Sequence, residues 1–301
     1  MSGPTHVPGS TGPSGPAPAP VPPARVRLAQ WLADRAVMAT AIAVLAYLFL
    51  PVAYTFAFSF NDYTKSNIVW NAQSSPTLEH WADPCGAPGV CEALITSLQV
   101  GLLSTLVATV LGTMIAFGLV RHTFAGRRAA EVLVFLPMAT PEIVLGASLL
   151  TIFVQGFSRF GVELGFATVV AAHVMFALSF VVVTVRARVA SLDPRLEEAA
   201  MDLYAGPVET FWRVTLPLTA PGILGAALLS FALSFDDFII TNFVSGDTTT
   251  FPVFVYVSYL RGIPAQANVI GFSMFVVAVV LVLLGQALVS GRALRTRRSR
   301  R

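Results

Sequence analysis

Three carboxylates sit inside long apolar stretches: Glu142, Asp236 and Asp237. A charged side chain at the centre of a membrane-spanning helix costs about 2.5–3.5 kcal/mol on insertion scales. No lysine or arginine lies at similar depth to neutralise them. Acids kept at that cost point to a water-filled path or to a cationic partner. Ser230, Ser234, Asp237 and Thr241 follow one another at intervals of four, three and four residues. On a helix advancing about 100° per residue they fall within about 60°, a polar stripe on an otherwise apolar surface. Asp237 is expected to face the path first, and Asp236, about 100° away, second. The hydroxyls alone could bond to their own helix backbone, but that does not account for the aspartates. Glu142 closes the run Pro137-Met138-Ala139-Thr140-Pro141-Glu142. Two prolines four apart each remove a backbone bond and disrupt a helix. A broken helix with an acid at the break suits a transport path; the alternative is a simple kink with Glu142 paired to a neighbouring hydroxyl. His173, in a further apolar stretch, reads as a satisfied packing residue rather than a ligand.

The elements that hold these residues follow from composition. Of 301 residues, 55% are hydrophobic and 12% charged, where a soluble domain carries about 25% charged. That excludes a soluble globular enzyme, a disordered chain and a nucleic-acid-binding module. One crossing of the hydrocarbon layer needs about 20 apolar residues. Six stretches qualify: Ala36 to Phe60, Leu94 to Val120, Ala130 to Val154, Phe166 to Val185, Leu218 to Phe243 and Ala267 to Val289. All should be helices, because an unpaired strand edge cannot be satisfied in lipid. The chain is therefore expected to be an all-α integral membrane protein with one six-span domain over residues 34–290. A Pro-rich tail (1–33) should be disordered, and residues 291–301 form a basic tail.

The basic residues set orientation. Arg25, Arg27 and Arg35 precede span one, and Arg121, Arg127 and Arg128 lie between spans two and three. Arg186, Arg188, Arg195 and Arg213 lie between spans four and five. Arg292, Arg295, Arg297, Arg298, Arg300 and Arg301 follow span six. The other side holds only Lys65, Arg159 and Arg261. Both termini are thus expected in the cytoplasm. Cys85 and Cys91 then face outward, in an oxidising compartment beyond a bacterial inner membrane. Their spacing is wrong for a paired zinc motif and leaves both a local disulfide and free thiols open. Trp70 and Trp81, in the same loop, could meet a binding protein or anchor at the interface. No internal repeat supports an inverted-repeat carrier.

The longest internal cytoplasmic segment is RARVASLDPRLEEAAMDLYAGPVETFWRVTLP, Arg186 to Pro217. Asp193 and Pro194 read as helix N-cap and first residue, and Glu197 and Glu198 suit the first turn. Gly206-Pro207 is expected to end that helix. Val208 to Val214 should form a second short helix stopped by Pro217. The small face of Ala199 and Ala200 lets another protein approach closely; an amphipathic hairpin lying on lipid is the alternative.

Glu198-Ala199-Ala200, Gly206 and Val214-Thr215-Leu216-Pro217 resemble the EAA loop of permease subunits in binding-protein-dependent ABC importers. In that pattern the glycine falls on Tyr204, so Gly206 is displaced by two, while Leu216-Pro217 is in register. Further segments are similar to the spermidine/putrescine permease subunits: TPEIVLG (140–146), SLDPRLEEAAMDL (191–203), LSFDDFIITNFVSG (233–246) and, more loosely, TTTFPVFVYVSYLRGIPAQANVIG (248–271).

The resemblance implies the type I ABC importer permease fold, with the 193–217 loop as a coupling helix docked on an ATPase through Glu198, Ala199, Ala200, Gly206, Leu216 and Pro217. It implies a cytoplasmic ABC ATPase dimer that binds ATP and Mg, a second permease subunit, and an external substrate-binding protein. Polyamines are polycations, which agrees independently with acids in the spans. This chain is expected to be no enzyme and to hold no metal or cofactor: a P-loop needs Gly-Lys-Ser/Thr, and the one lysine, Lys65, lies in an outward loop. The rival is a proton-coupled secondary carrier relaying through Asp236 and Asp237; it explains the acids but not the loop. An intramembrane aspartyl protease fits poorly, since its aspartates should come from different helices.

Overall fold

The computed structural model describes residues 24–62 and 69–298. The residues before Ala24, Lys65, Arg300 and Arg301 lie outside the described residues. Every regular element is helical among them. α1 runs Ala24–Phe58, α2 Glu79–Ala82, α3 Val90–Arg121, α4 Arg127–Ala139 and α5 Glu142–Thr151. A π-helical stretch Ile152–Phe157 and a 3₁₀ turn Ser158–Phe160 extend α5. α6 follows at Phe166–Ala190, α7 at Arg195–Asp202, α8 at Pro207–Thr210 and α9 at Leu216–Asp236. α10 covers Ile239–Val244, α11 Phe251–Arg261 and α12 Ala265–Arg298. Six helical segments are long and apolar enough to cross a membrane: Arg35–Phe58, Val90–Arg121, Glu142–Phe160, Phe166–Ala190, Pro207–Asp236 and Ala265–Leu283.

Two compact units share the chain, residues 1–54 and 55–301. Within the first, α1 begins at Ala24, inside the stretch expected to be a tail. Pro23 is the last proline of the N-terminal run, and the residues after it are good helix formers. Its residues from Arg35 to Pro51 are exposed.

The second unit is built on α3, α6 and α9. Ala108, Ala116 and Leu119 of α3 bury against Ala177, Val181, Val182, Val185 and Val189 of α6 and Ala226 of α9. In lipid, helices gain nothing from hiding apolar surface from one another, so small residues and close approach hold them together. A Cβ on Gly112 would stand 2.6 Å from Val181 Cγ1. A second cluster joins Val100 of α3, Leu145 and Leu149 of α5, Val169, Ala172 and Phe176 of α6, and Ile240 and Val244 of α10.

Two spans depart from the sequence reading, and both departures matter for function. Span three was expected as Ala130 to Val154. The broken helix expected in the Pro137–Glu142 run is present, and the span begins only after it: Thr140 is extended (φ −85°, ψ 134°), because a residue before proline is pushed out of the helical region. Only Pro141 makes the break; Pro137 stays inside α4. Glu142 therefore opens a new helix, where the positive end of the helix dipole favours it. Span five was expected as Leu218 to Phe243. It begins earlier, at Pro207, and ends at Asp236, because Asp237 turns extended (φ −66°, ψ 118°).

Pro217 does not stop a separate helix either. A π turn over Phe211–Thr215, with Leu216 N–H donating to the Phe211 carbonyl, widens the ladder just before it, and the helix continues. On the opposite side of the spans, Cys85 and Cys91 are bonded, with Cα atoms 5.4 Å apart. Trp81 Nε1 donates to Ser59 Oγ (3.1 Å) and its ring stacks on Phe60. Trp70 stays exposed, edge-on to Phe58.

Candidate functional site: a buried polar network and a knob on the basic side

The stripe Ser230, Ser234, Asp237 and Thr241 is buried, not open. It faces His173 of α6, which is 2% exposed and, as a satisfied interior residue must be, hydrogen-bonded. His173 Nδ1 lies 2.6 Å from Ser234 Oγ, and Ser234 Oγ lies 2.8 Å from Ser104 Oγ of α3. His173 Nε2 lies 3.2 Å from Asp237 Oδ2 and 2.9 Å from Thr241 Oγ1. These distances are compatible with a chain of donors that runs from Ser104 to the Asp237 carboxylate. Nε2–H donates to the carboxylate, Nδ1 accepts from Ser234, and Ser234 accepts from Ser104.

The Asp237 carboxylate also accepts from N–H groups in the first turn of α10. Its Oδ2 accepts from Thr241 N (2.8 Å) and Thr241 Oγ1 (2.9 Å), and its Oδ1 from Ile240 N (3.3 Å). These donors satisfy a carboxylate in an apolar interior, where an unpaired one would be costly. The two aspartates, of which Asp237 is expected to face a path first, differ in burial. Asp237 is 9% exposed and turned into the core, while Asp236, the last residue of α9, is exposed. The physical reason lies on α6 and α3: His173 and Ser104 offer partners for the stripe, and the stripe turns toward them. Ser230 Oγ is buried beside it without a hydrogen-bond partner.

Glu142 is exposed at the start of α5. Among the described residues, neither Glu142 nor Asp236 forms an ion pair. α5 packs on α10 at close range: a Cβ on Gly146 would stand 2.6 Å from Phe243 Cδ2. The two helix breaks are therefore joined through the packing of the helices that follow them, Leu145 and Leu149 of α5 with Ile240 and Val244 of α10.

On the basic side, α7 is capped as its sequence suggests, with Arg195 N donating to Asp193 Oδ1 (3.0 Å). Its end is elsewhere than expected. Tyr204 N donates to Met201 O and Ala205 N to Ala200 O, with Tyr204 left-handed at φ 63°. That is a Schellman end with tyrosine where glycine is usual. Gly206 lies outside the turn at φ −68°, so its glycine character is not used there. The family pattern and the backbone thus agree on position 204, although the residue type departs.

Glu198 and Ala199 of the knob are exposed, Ala200 and Leu216 half-buried, and Pro217 exposed. The residue that ties the knob down is Glu197. Its Oε1 accepts from Arg121 Nη2 at the end of α3 and from Thr215 Oγ1 before α9, both at 2.8 Å. The sequence reading assigned Glu197 only to the helix dipole, and the arginine 76 positions earlier gave no local signal. Nearby, Arg186 donates to Glu131 (2.9 Å), and Arg188 donates to the Leu218 carbonyl through Nε (3.1 Å) and Nη2 (2.7 Å).

Residues 108–298 match the family described as the binding-protein-dependent transport system inner membrane component. The chain belongs to that family. The matched region holds the α6 histidine, the Glu197 tie and both aspartates. As a member of this family it is the membrane-spanning permease component, multi-pass in the inner membrane. It is 32% identical over 244 residues to the spermidine/putrescine transport system permease protein PotC of Haemophilus influenzae, covering 81% of this chain and 92% of that one. It is 34% identical over 226 residues to the putrescine transport system permease protein PotI of Escherichia coli K12, covering 74% and 79%. Among solved structures, a bacterial ABC transporter involved in import of the acidic polysaccharide alginate superposes with a TM-score of 0.64 at 19% identity, over 88% of this chain and 96% of that one. An inward-facing MetNI methionine ABC transporter gives 0.52 at 18% identity, over 69% and 95%. These two carry the fold alone, which is the expected type I ABC importer permease fold.

Proposed function

We propose that this chain is the permease subunit through which an ATP-driven importer moves a polyamine, spermidine or putrescine, into the cytoplasm. The reading rests on one observation: Glu142 and Asp236 are exposed carboxylates at the breaks of two membrane segments, and among the described residues no cationic side chain is paired to either. The breaks sit close in depth. Spans three and five run in the same direction, and four residues back from the Gly146–Phe243 contact lie Glu142 and Ile239. A linear polycation threading past them exchanges each ammonium between water and a carboxylate. Counter-charge at these two points offsets part of its desolvation without the full enclosure that would trap it. Asp237 serves the path indirectly, by closing the break. The two relatives described above carry polyamines in their names, which agrees with this chemistry.

Work enters from the basic side, taken as cytoplasmic from the charge asymmetry. A pair of ATPase subunits that bind ATP and Mg grips α7 through the exposed Glu198 and Ala199 face, beside Ala200 and Gly206. Leu216 and Pro217 carry the motion into the span. Glu197 passes displacement of α7 to α3 through Arg121 and to α9 through Thr215. A second permease subunit completes the path, and an external binding protein delivers the solute.

The experiment is uptake into proteoliposomes holding the complete importer. The account predicts accumulation of labelled spermidine driven by ATP on the ATPase side and indifferent to a collapsed pH gradient. Accumulation driven by a pH gradient without ATP would replace it with the proton-coupled carrier.

A further inference from the structure

His173 has no counterpart among the residues assigned so far, yet it is the centre of the one buried network that joins α3, α6, α9 and α10. Its Nε2 meets Asp237 Oδ2 at 3.2 Å, inside an apolar cluster. Asp237 in turn holds the first N–H groups of α10 and is the residue at which α9 stops being helical. Successive residues point about 100° apart at a helix end. With Asp237 pinned inward, the side chain of Asp236 points about a quarter-turn away from it, where it is exposed.

We propose that His173 is a positioning residue of the solute path: by holding Asp237 at the break it fixes where the Asp236 carboxylate stands. This rests on the path reading above and extends it to a residue that never touches the solute. The two nitrogens of His173 have separate duties. Nδ1 ties α9 below the break through Ser234, and Nε2 ties the break itself. A glutamine at 173 can place an amide N–H near the Nε2 position and keep the Asp237 contact. An asparagine is shorter, reaches the Nδ1 position and keeps only the Ser234 contact. A histidine that merely filled space would not distinguish them.

The test uses the complete importer in proteoliposomes, with labelled spermidine and the binding protein in excess. Concentration for half-maximal uptake and maximal rate are measured separately, on complexes shown by size exclusion to be assembled. His173→Asn is expected to raise the half-maximal concentration about tenfold with a smaller change in rate, and His173→Gln to stay within about threefold of the parent, the range of coupling between contacting residues. Asp237→Asn reads the same contact from the other end, and carries the test where H173N does not assemble. On an Asp236→Asn background both H173N and D237N are expected to add nothing, because the group they position is gone. Equal loss in H173N and H173Q, or losses that multiply with D236N, would overturn the positioning role. An unchanged half-maximal concentration in D236N alone would instead overturn the path reading, and the inference with it.

Discussion

Thr215 and Arg121 meet on a single atom of Glu197: Oε1 accepts from both at 2.8 Å. The α7 knob is thereby fastened to the ends of two spans that lie in the central packing, α3 and α9. Removing the carboxylate leaves Arg121 and the buried Thr215 hydroxyl without their shared acceptor. We expect Glu197→Ala to assemble and bind the ATPase pair while lowering uptake per ATP hydrolysed by about tenfold, and Glu197→Gln, which keeps the Thr215 bond, to lose less. The ratio of solute moved to phosphate released, in one proteoliposome sample, reads this. An unchanged ratio in E197A would remove the tie from the mechanism.

Tyr204 bears a local cost. A side chain with a Cβ in the left-handed region is about 1 kcal/mol less favourable than glycine there. Among the described residues nothing packs over the ring, which is 98% exposed. Tyr204→Gly should therefore raise the thermal midpoint of the detergent-solubilised protein slightly, and Tyr204→Ala should not. A fall in midpoint for Y204G would show that the ring is held by contacts the backbone argument omits.

Gly146 lets α5 approach α10. A methyl there would overlap Phe243, an overpacking that costs about 1–3 kcal/mol in a closely packed interior. Gly146→Ala is expected to lower the midpoint and reduce uptake, and Phe243→Leu in the same chain to restore part of both. If G146A behaves as the parent does, α5 and α10 are not held at this distance.

How much of this was legible beforehand differs by residue, for physical reasons. The α3, α6 and α12 spans follow from unbroken apolar runs of sufficient length. The capping of α7 by Asp193 is a local event and reads from a few residues. The break in the Pro137–Glu142 run is legible from its prolines; which of the two makes it is not, because both carry the same local signal while only the residue ahead of Pro141 leaves the helix. The left-handed turn falls where the family pattern puts its glycine, and Gly206 drew the eye only by its residue type. The stripe of span five was correctly spaced, but its direction depends on Ser104 and His173, about 130 and 61 positions from Ser234. Periodicity says which residues share a face and is silent on what that face meets. A histidine in an apolar run must find partners, and the span acids were the available ones; that signal was present and unused.

The central claim is that exposed carboxylates at the two breaks supply passing counter-charge to a polycation. It is tested most directly by ATP-driven accumulation of labelled spermidine in proteoliposomes carrying the full importer, comparing the parent chain with Glu142→Gln, Asp236→Asn and the two together. The account predicts a rise of about tenfold in half-maximal concentration for each single change, from one lost charge contact of about 1.4 kcal/mol, and near-complete loss for the pair, with the complex still assembled. Parent-like uptake in the double variant would contradict it.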